Sequence, residues 1–169
     1  GDIMSFGEKI LDYKEDILKD LDELLKIQSV SSKSQEDASE ALKFILKRAE
    51  EMGLTTENVD DIAGHAEYGK GDEIAAVLSH VDVVPSGDGW SVEPFALTRK
   101  NGRLYGRGIA DDKGPAIIAL YCLKALKDSG VPFKRRLRTI FGASEEVGMA
   151  DMDRYFSKQP LPNMGFTPD

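Results

Sequence analysis

The chain has 169 residues, with 22 Lys plus Arg against 30 Asp plus Glu and a formal net charge of −8. Apolar residues make up 41 % and charged residues 31 %, the balance of one ordered globular domain rather than a disordered chain. The acidic excess argues against a broad nucleic-acid-binding face, which needs clustered Lys and Arg. A single cysteine, Cys122, excludes an intramolecular disulfide and fits a reducing cytosol. The longest apolar run, Ala116 to Leu123, is far below the ~18 residues of a membrane span. No basic-then-apolar signal opens the chain, so the expectation is a cytoplasmic protein with no membrane or nucleic-acid partner.

Ser5-Phe6-Gly7-Glu8 reads as a capping box. Ile10, Tyr13, Ile17, Leu21, Leu24 and Leu25 follow at helical spacing, which predicts a helix from about Phe6 to Ile27. A loop over residues 29–34 leads to a second helix, with Ala41, Leu42, Ile45, Leu46, Ala49 and Met52 inward and Gly53 as its terminator. Thr55–Val59 and Ile62–Glu67 are predicted strands. Ile74–Leu78 is continuously apolar, as in a strand covered on both faces. Phe95–Arg99 and Arg103–Tyr105 flank Asn101-Gly102, a hairpin signal. A third helix starts at Lys113-Gly114-Pro115 and runs to about Asp128, closed by Gly130. Leu137–Ala143 is a further strand and Asp151–Ser157 a short helix. Helices alternate with apolar strands, so the fold class is α/β, a mixed, mainly parallel sheet flanked by helices.

Open α/β sheets place their sites beyond the carboxyl ends of strands. Ser79-His80-Val81-Asp82 follows the Ile74–Leu78 strand directly. His80 and Asp82 share one side of an extended chain, so one can bind a metal while the other orients the ring; taken alone, the motif reads first as a satisfied polar pair at a strand end. Asp111-Asp112, ahead of a helix, can cap that helix or offer hard oxygen ligands. No Gly-Lys-Ser/Thr follows at Walker spacing, which excludes a phosphate loop. Glu145-Glu146 follow the Leu137–Ala143 strand and repel each other unless a proton or cation separates them. A serine-hydrolase elbow fails here, since Glu146 stands where Gly is needed. Asp169 ends a short apolar stretch. Each reads alone as a polar loop; together, on one predicted rim, an imidazole and several carboxylates form a set suited to two divalent ions.

Four segments resemble the di-zinc exopeptidase clan of aminoacylases, carboxypeptidase G and PepV-type dipeptidases. Ser79-His80-Val81-Asp82-Val83-Val84-Pro85 with Gly87-Asp88-Gly89-Trp90 is similar to the first family motif, and Tyr105-Gly106-Arg107-Gly108 through Asp111-Asp112-Lys113-Gly114 to the second. Glu145-Glu146 and Pro168-Asp169 match the third and fourth, and the surrounding residues look most like the PepV branch. The resemblance implies that His80 and Asp169 hold one zinc, Asp111 bridges two, and Glu146 holds the second. Asp82 would orient His80. Glu145 would be general base and acid toward a water between the two cations. Cobalt or manganese are expected substitutes for zinc. A cis Asp111–Asp112 peptide bond is also implied.

Members of the clan are several hundred residues long. Residues 1–169 therefore match the N-terminal half of a catalytic domain, without the lid or the C-terminal part that normally supplies the second zinc's His. The expected reaction of the full-length parent is hydrolysis of a small peptide substrate, a dipeptide. The expected state of the chain alone is inactive, with self-association through the surface that truncation opens. An N-acyl amino acid deacylase or a carboxypeptidase of the same clan is the enzymatic alternative. A non-catalytic cation-binding domain is the other, although it would not need Glu145.

Overall fold

The computed structural model describes residues 6–169, so Ser5, the cap residue of the predicted capping box, lies outside the described residues. The first predicted helix is divided: helix α1 (Phe6–Lys9), a 3-10 turn (Ile10–Tyr13) and helix α2 (Lys14–Lys26). The tightened turn carries Tyr13 to the end of helix α4 (Lys113–Asp128), where its hydroxyl donates to Asp128 at 2.6 Å. Tertiary contact overrides the helical period there. Helix α3 (Gln35–Glu51) is capped by Ser34, whose hydroxyl accepts from the Asp37 amide at 3.1 Å. Glu36 and Asp37 meet the positive end of its dipole, and Gly53 at φ 80° ends it.

Strands β1 (Thr55–Val59) and β2 (Ala63–Tyr68) form a hairpin, followed by strand β3 (Ile74–His80). Strands β4 (Thr98–Lys100) and β5 (Arg103–Tyr105) make a separate ribbon across Asn101-Gly102, both at positive φ. β4 is shorter than predicted because the chain before it bonds elsewhere: the Leu97 amide donates to Asp22 at 2.9 Å. Strand β6 (Arg136–Gly142), helix α5 (Ala150–Lys158) and strand β7 (Met164–Phe166) complete the chain. A 3-10 turn over Glu145–Val147 precedes α5, where sequence predicts only loop.

The main sheet has the order β1-β2-β6-β3-β7. β1 with β2 and β2 with β6 pair antiparallel, while β6 with β3 and β3 with β7 pair parallel. Only β2 therefore runs against the other four. β3 and β6 are adjacent and joined through α4, a βαβ unit. That connection puts the carboxyl ends of β3, β6 and β7 on one rim.

Helices α2, α3 and α4 cover one face through Leu24, Leu25, Leu42, Ile45, Ile117 and Leu120. Asp20 joins the three helices: Arg48 Nε donates to it at 2.9 Å, and the Tyr121 hydroxyl donates to the same oxygen. Helix α5 covers the other face with Met152 and Tyr155 over Val59, Ile74, Ala76 and Ile140. The expectation that Ile74–Leu78 is covered on both faces is corrected: Ala75 and Val77 are half-buried. They face a groove of about 410 Å³ beside Leu123, Leu126, Met164 and Phe166. Strand β7 pairs only with β3 among the described residues, so that end of the sheet stays uncovered.

His65 lies in β2 beneath α5 and is 4 % exposed. Arg138 Nη1 donates to the Tyr155 hydroxyl at 3.2 Å, and that hydroxyl stands 2.7 Å from His65 Nδ1 as its donor. Burial, with the charges of Arg138 and Arg136, pushes His65 down to about 3. An unfolded His titrates near ~6.5, so between those values the unfolded chain alone binds the proton. This contribution to stability is complete above about pH 6.5 and declines as pH falls toward about 3, by up to ~1.4 kcal/mol per unit. Urea unfolding of the chain and of His65→Gln at pH 7.5 and 5 should show the difference between them shrinking at the lower pH. An equal difference at both would mean His65 is not buried neutral.

Candidate metal centre

His80, the last residue of β3, is 3 % exposed. Its amide donates to Asp112 Oδ2 at 3.1 Å, and its Nδ1 lies 2.9 Å from the Asp82 carbonyl oxygen. A carbonyl only accepts, so Nδ1 carries hydrogen and Nε2 is the atom turned to the rim. Around Nε2 stand Asp111 Oδ1 at 3.0 Å, Asp169 Oδ2 at 3.6 Å and Glu145 Oε2 at 3.7 Å. None is aligned as a hydrogen bond, so Nε2 is a buried polar atom without a partner. Burial opposes charge on this ring. The hydrogen bonds and charge of Asp82, with the charge of Asp112, outweigh it and hold His80 up at about 10.

Asp82 is fully buried and accepts on both oxygens. Oδ2 takes the Ser31 hydroxyl at 2.6 Å and the Glu146 amide at 3.1 Å; Oδ1 takes the Glu145 amide at 3.1 Å. Burial alone would raise this carboxyl, but these bonds and His80 hold it below the ordinary range. Ser31 is placed by the turn after α2, where the Ser29 hydroxyl donates to the Val81 carbonyl at 2.7 Å and the Val83 amide to the Ser29 carbonyl at 2.9 Å.

Asp111 and Asp112 are joined by a cis peptide bond, as the family resemblance implies. Asp112 is buried, and its Oδ1 lacks a partner. Burial pushes its carboxyl up to about 6, against the His80 amide bond that lowers it. Glu145 and Glu146 are also raised, first by burial and then by neighbouring carboxylates. Lys113 next to Asp112 is buried, and its ammonium donates to the Leu24 and Ile27 carbonyls at 2.9 and 2.7 Å. Both carbonyls lie at the end of α2, so the acidic turn is tied to that helix.

All six sequence-predicted residues lie on the rim of β3, β6 and β7. Ligand atoms of His80, Asp111 and Glu146 fall within 4.8 Å of one another, and so do those of His80, Asp112 and Asp169. An unpartnered imidazole nitrogen facing gathered carboxylates fits a divalent cation of borderline hardness. The sequence alone places Ser31 in an unassigned loop and marks Asp112 only as Asp111's neighbour. The Ser31 contact crosses 51 positions of sequence, which no local pattern signals. The other histidine, His65, is held by Tyr155 under α5 and does not join the cluster.

The sequence profile of peptidase family M20/M25/M40 matches residues 76–164, more than half of the chain, and the chain belongs to that family. The Bacillus subtilis protein named "Putative dipeptidase YtjP" is 42 % identical over 98 % of this chain, which spans 38 % of that protein's length. The Saccharomyces cerevisiae dipeptidase Dug1p superposes with a TM-score of 0.78 at 26 % identity, over 90 % of this chain and 37 % of that one. The metallo-carboxypeptidase Sso-CP2 of Sulfolobus solfataricus gives 0.79 at 24 % identity, over 90 % of this chain and 37 % of that one, a likeness of fold.

A cation that binds the folded chain alone stabilises it, by ~2.7 kcal/mol at one hundred times Kd. Zinc should therefore raise the Tm of the chain, and His80→Ala should abolish the rise. A rise that survives His80→Ala would place the ion elsewhere.

Proposed function

We propose that the protein to which these residues belong is a metal-dependent dipeptidase, and that residues 1–169 are the N-terminal part of its catalytic domain. The observation that carries this reading is the position of Glu145. It reaches within 3.7 Å of His80 Nε2, yet belongs to neither group of clustered ligand atoms. A cation-binding module has no use for an acid held beside its ligands; a hydrolase needs one as proton carrier.

His80, Asp111 and Asp169 are assigned to one zinc, and Asp111 with Glu146 to a second, with cobalt or manganese as substitutes. When bound, such ions polarise a peptide carbonyl and acidify water. Glu145 takes the proton of the attacking water on its carboxylate and returns it to the leaving amine. Its raised pKa, from burial and nearby carboxylates, suits a group that must hold a proton between those steps. Asp82 fixes the ring of His80 and the amides of both glutamates. A cavity of about 210 Å³ bordered by His80, Asp112, Glu145 and Asp169, with Leu78, Met149 and Met152, leaves room for part of a small peptide.

The chain has two histidines and only one in the cluster, so an imidazole for the second ion comes from beyond these residues. We assign it, with a lid that grips the substrate, to the remaining length found in the relatives. The cytoplasm is the proposed location, supported by the lone cysteine; no described helix is long and apolar enough to cross a membrane. The groove beside β7 is the surface through which the chain alone would self-associate.

In the full-length protein, Glu145→Gln should keep zinc and lose kcat by ~100- to 10,000-fold. Glu146→Gln should lose zinc. Equal metal loss in both, read by elemental analysis after dialysis, would overturn the division of roles. Calorimetry should show zinc binding more tightly than calcium, as a mixed imidazole and carboxylate set requires. Dipeptide hydrolysis by the 169-residue chain with excess zinc should stay at background, and turnover by a monomer would show that these residues hold the whole site.

A further inference from the structure

Asp151 lies in the first turn of α5, is 1 % exposed, and has no part in the ligand clusters. An acid in a helix's first turn ordinarily answers the dipole from the surface. Here Oδ1 does accept the Met152 amide of its own helix, at 2.8 Å. Oδ2 reaches outside that helix to the Ser144 amide at 2.9 Å, and the Ser144 hydroxyl accepts the Asp151 amide at 3.2 Å. Burying a carboxylate without a cation is costly, and capping a helix does not require it. The chain also makes room for it. A Cβ at Gly142, the last residue of β6, would overlap the Asp151 carboxylate.

The reciprocal Ser144–Asp151 pair closes the root of the turn that carries Glu145 and Glu146. Inside it the Met149 amide donates to the Ser144 carbonyl at 3.1 Å and the Gly148 amide to the Glu145 carbonyl at 3.3 Å. The amides of Glu145 and Glu146 go to Asp82. Three successive amides, 144 to 146, therefore end in two buried carboxylates on elements that flank the turn. With the backbone held inward, both glutamate side chains are left to the rim, where Glu145 meets His80 and Glu146 meets His80 and Asp111.

We propose that Asp151 is a positioning residue, the latch that sets Glu145 and Glu146 relative to His80. Its geometric part stands on the hydrogen bonds alone; its kinetic part rests on the proposed dipeptidase reading. Misplacing a catalytic group by about 1 Å costs up to ~100-fold in rate.

Amide hydrogen exchange on the zinc-free full-length protein tests the geometric part. Asp151→Ala should speed exchange at Ser144, Glu145 and Glu146 about tenfold or more, while Thr139 and Ile140 in β6 are unchanged. Asp151→Asn keeps an acceptor oxygen and should largely restore protection. Gly142→Ala displaces the carboxylate without removing it and should copy Asp151→Ala, which keeps the test alive should the latter not fold. In the full-length protein, Asp151→Ala should lower kcat about 10- to 100-fold with KM within about twofold, and Asp151→Asn should recover most of it. Exchange that speeds uniformly through turn and β6, with kcat per folded molecule unchanged, would reduce Asp151 to a stabilising residue and overturn the proposal. Wild-type protein that fails to cleave dipeptides would instead overturn the dipeptidase reading, and the exchange pattern would still decide the latch.

Discussion

The Asp82 carboxylate holds the site together. It is wholly enclosed and receives three donors, one hydroxyl and two amides, while its own backbone carbonyl fixes the ring of His80. Those partners come from the turn after α2, the turn after β6 and the end of β3. A buried charge that satisfies three separate segments cannot shift without leaving several polar groups unpaired, each at about 1–3 kcal/mol. The relative position of β3 and β6 at their carboxyl ends is thus fixed by one group as well as by the sheet ladder between them.

Around that anchor the electrostatics are deliberately unbalanced. Asp111, Asp112, Glu145, Glu146 and Asp169 crowd toward one imidazole, and burial together with neighbouring carboxylates raises Asp112, Glu145 and Glu146. The one buried ammonium nearby, Lys113, does not neutralise them by contact, because its hydrogens go to the end of α2. Burial pushes it down to about 7, with Asp82 acting the other way. Negative charge gathered this way is a cost in stability that a divalent cation would offset, which is why such clusters mark function more than structure.

The sequence made the frame legible because helix periods, apolar runs and terminators are local: α3, β1 and α4 lie where their patterns put them. The six rim residues were legible as well, since each stands just beyond a strand or ahead of a helix, and the family motifs joined them into one set. What the residues concealed is long-range. Tyr13 breaks the first helix by reaching a partner 115 positions away. Ser31 looks like any loop serine until β3 and α2 are brought together, and Asp151 like any helix-starting acid until Gly142 is seen to yield it space. Half-burial of Ala75 and Val77 follows from their place beside the open groove between α4 and β7, which the composition of β3 cannot encode.

The family profile begins at residue 76, yet the fittings of the centre begin some fifty residues earlier. Ser31 supplies a hydroxyl to Asp82, Ser29 splices the segment after β3, and Leu24 with Ile27 seats the Lys113 ammonium. The stretch that the family profile spans is therefore smaller than the stretch that builds the centre. A chain cut at that boundary would uncover the inner surface of α4 and leave the Lys113 ammonium without the two carbonyls that accept from it. The first fifty residues are the socket into which those motifs are set.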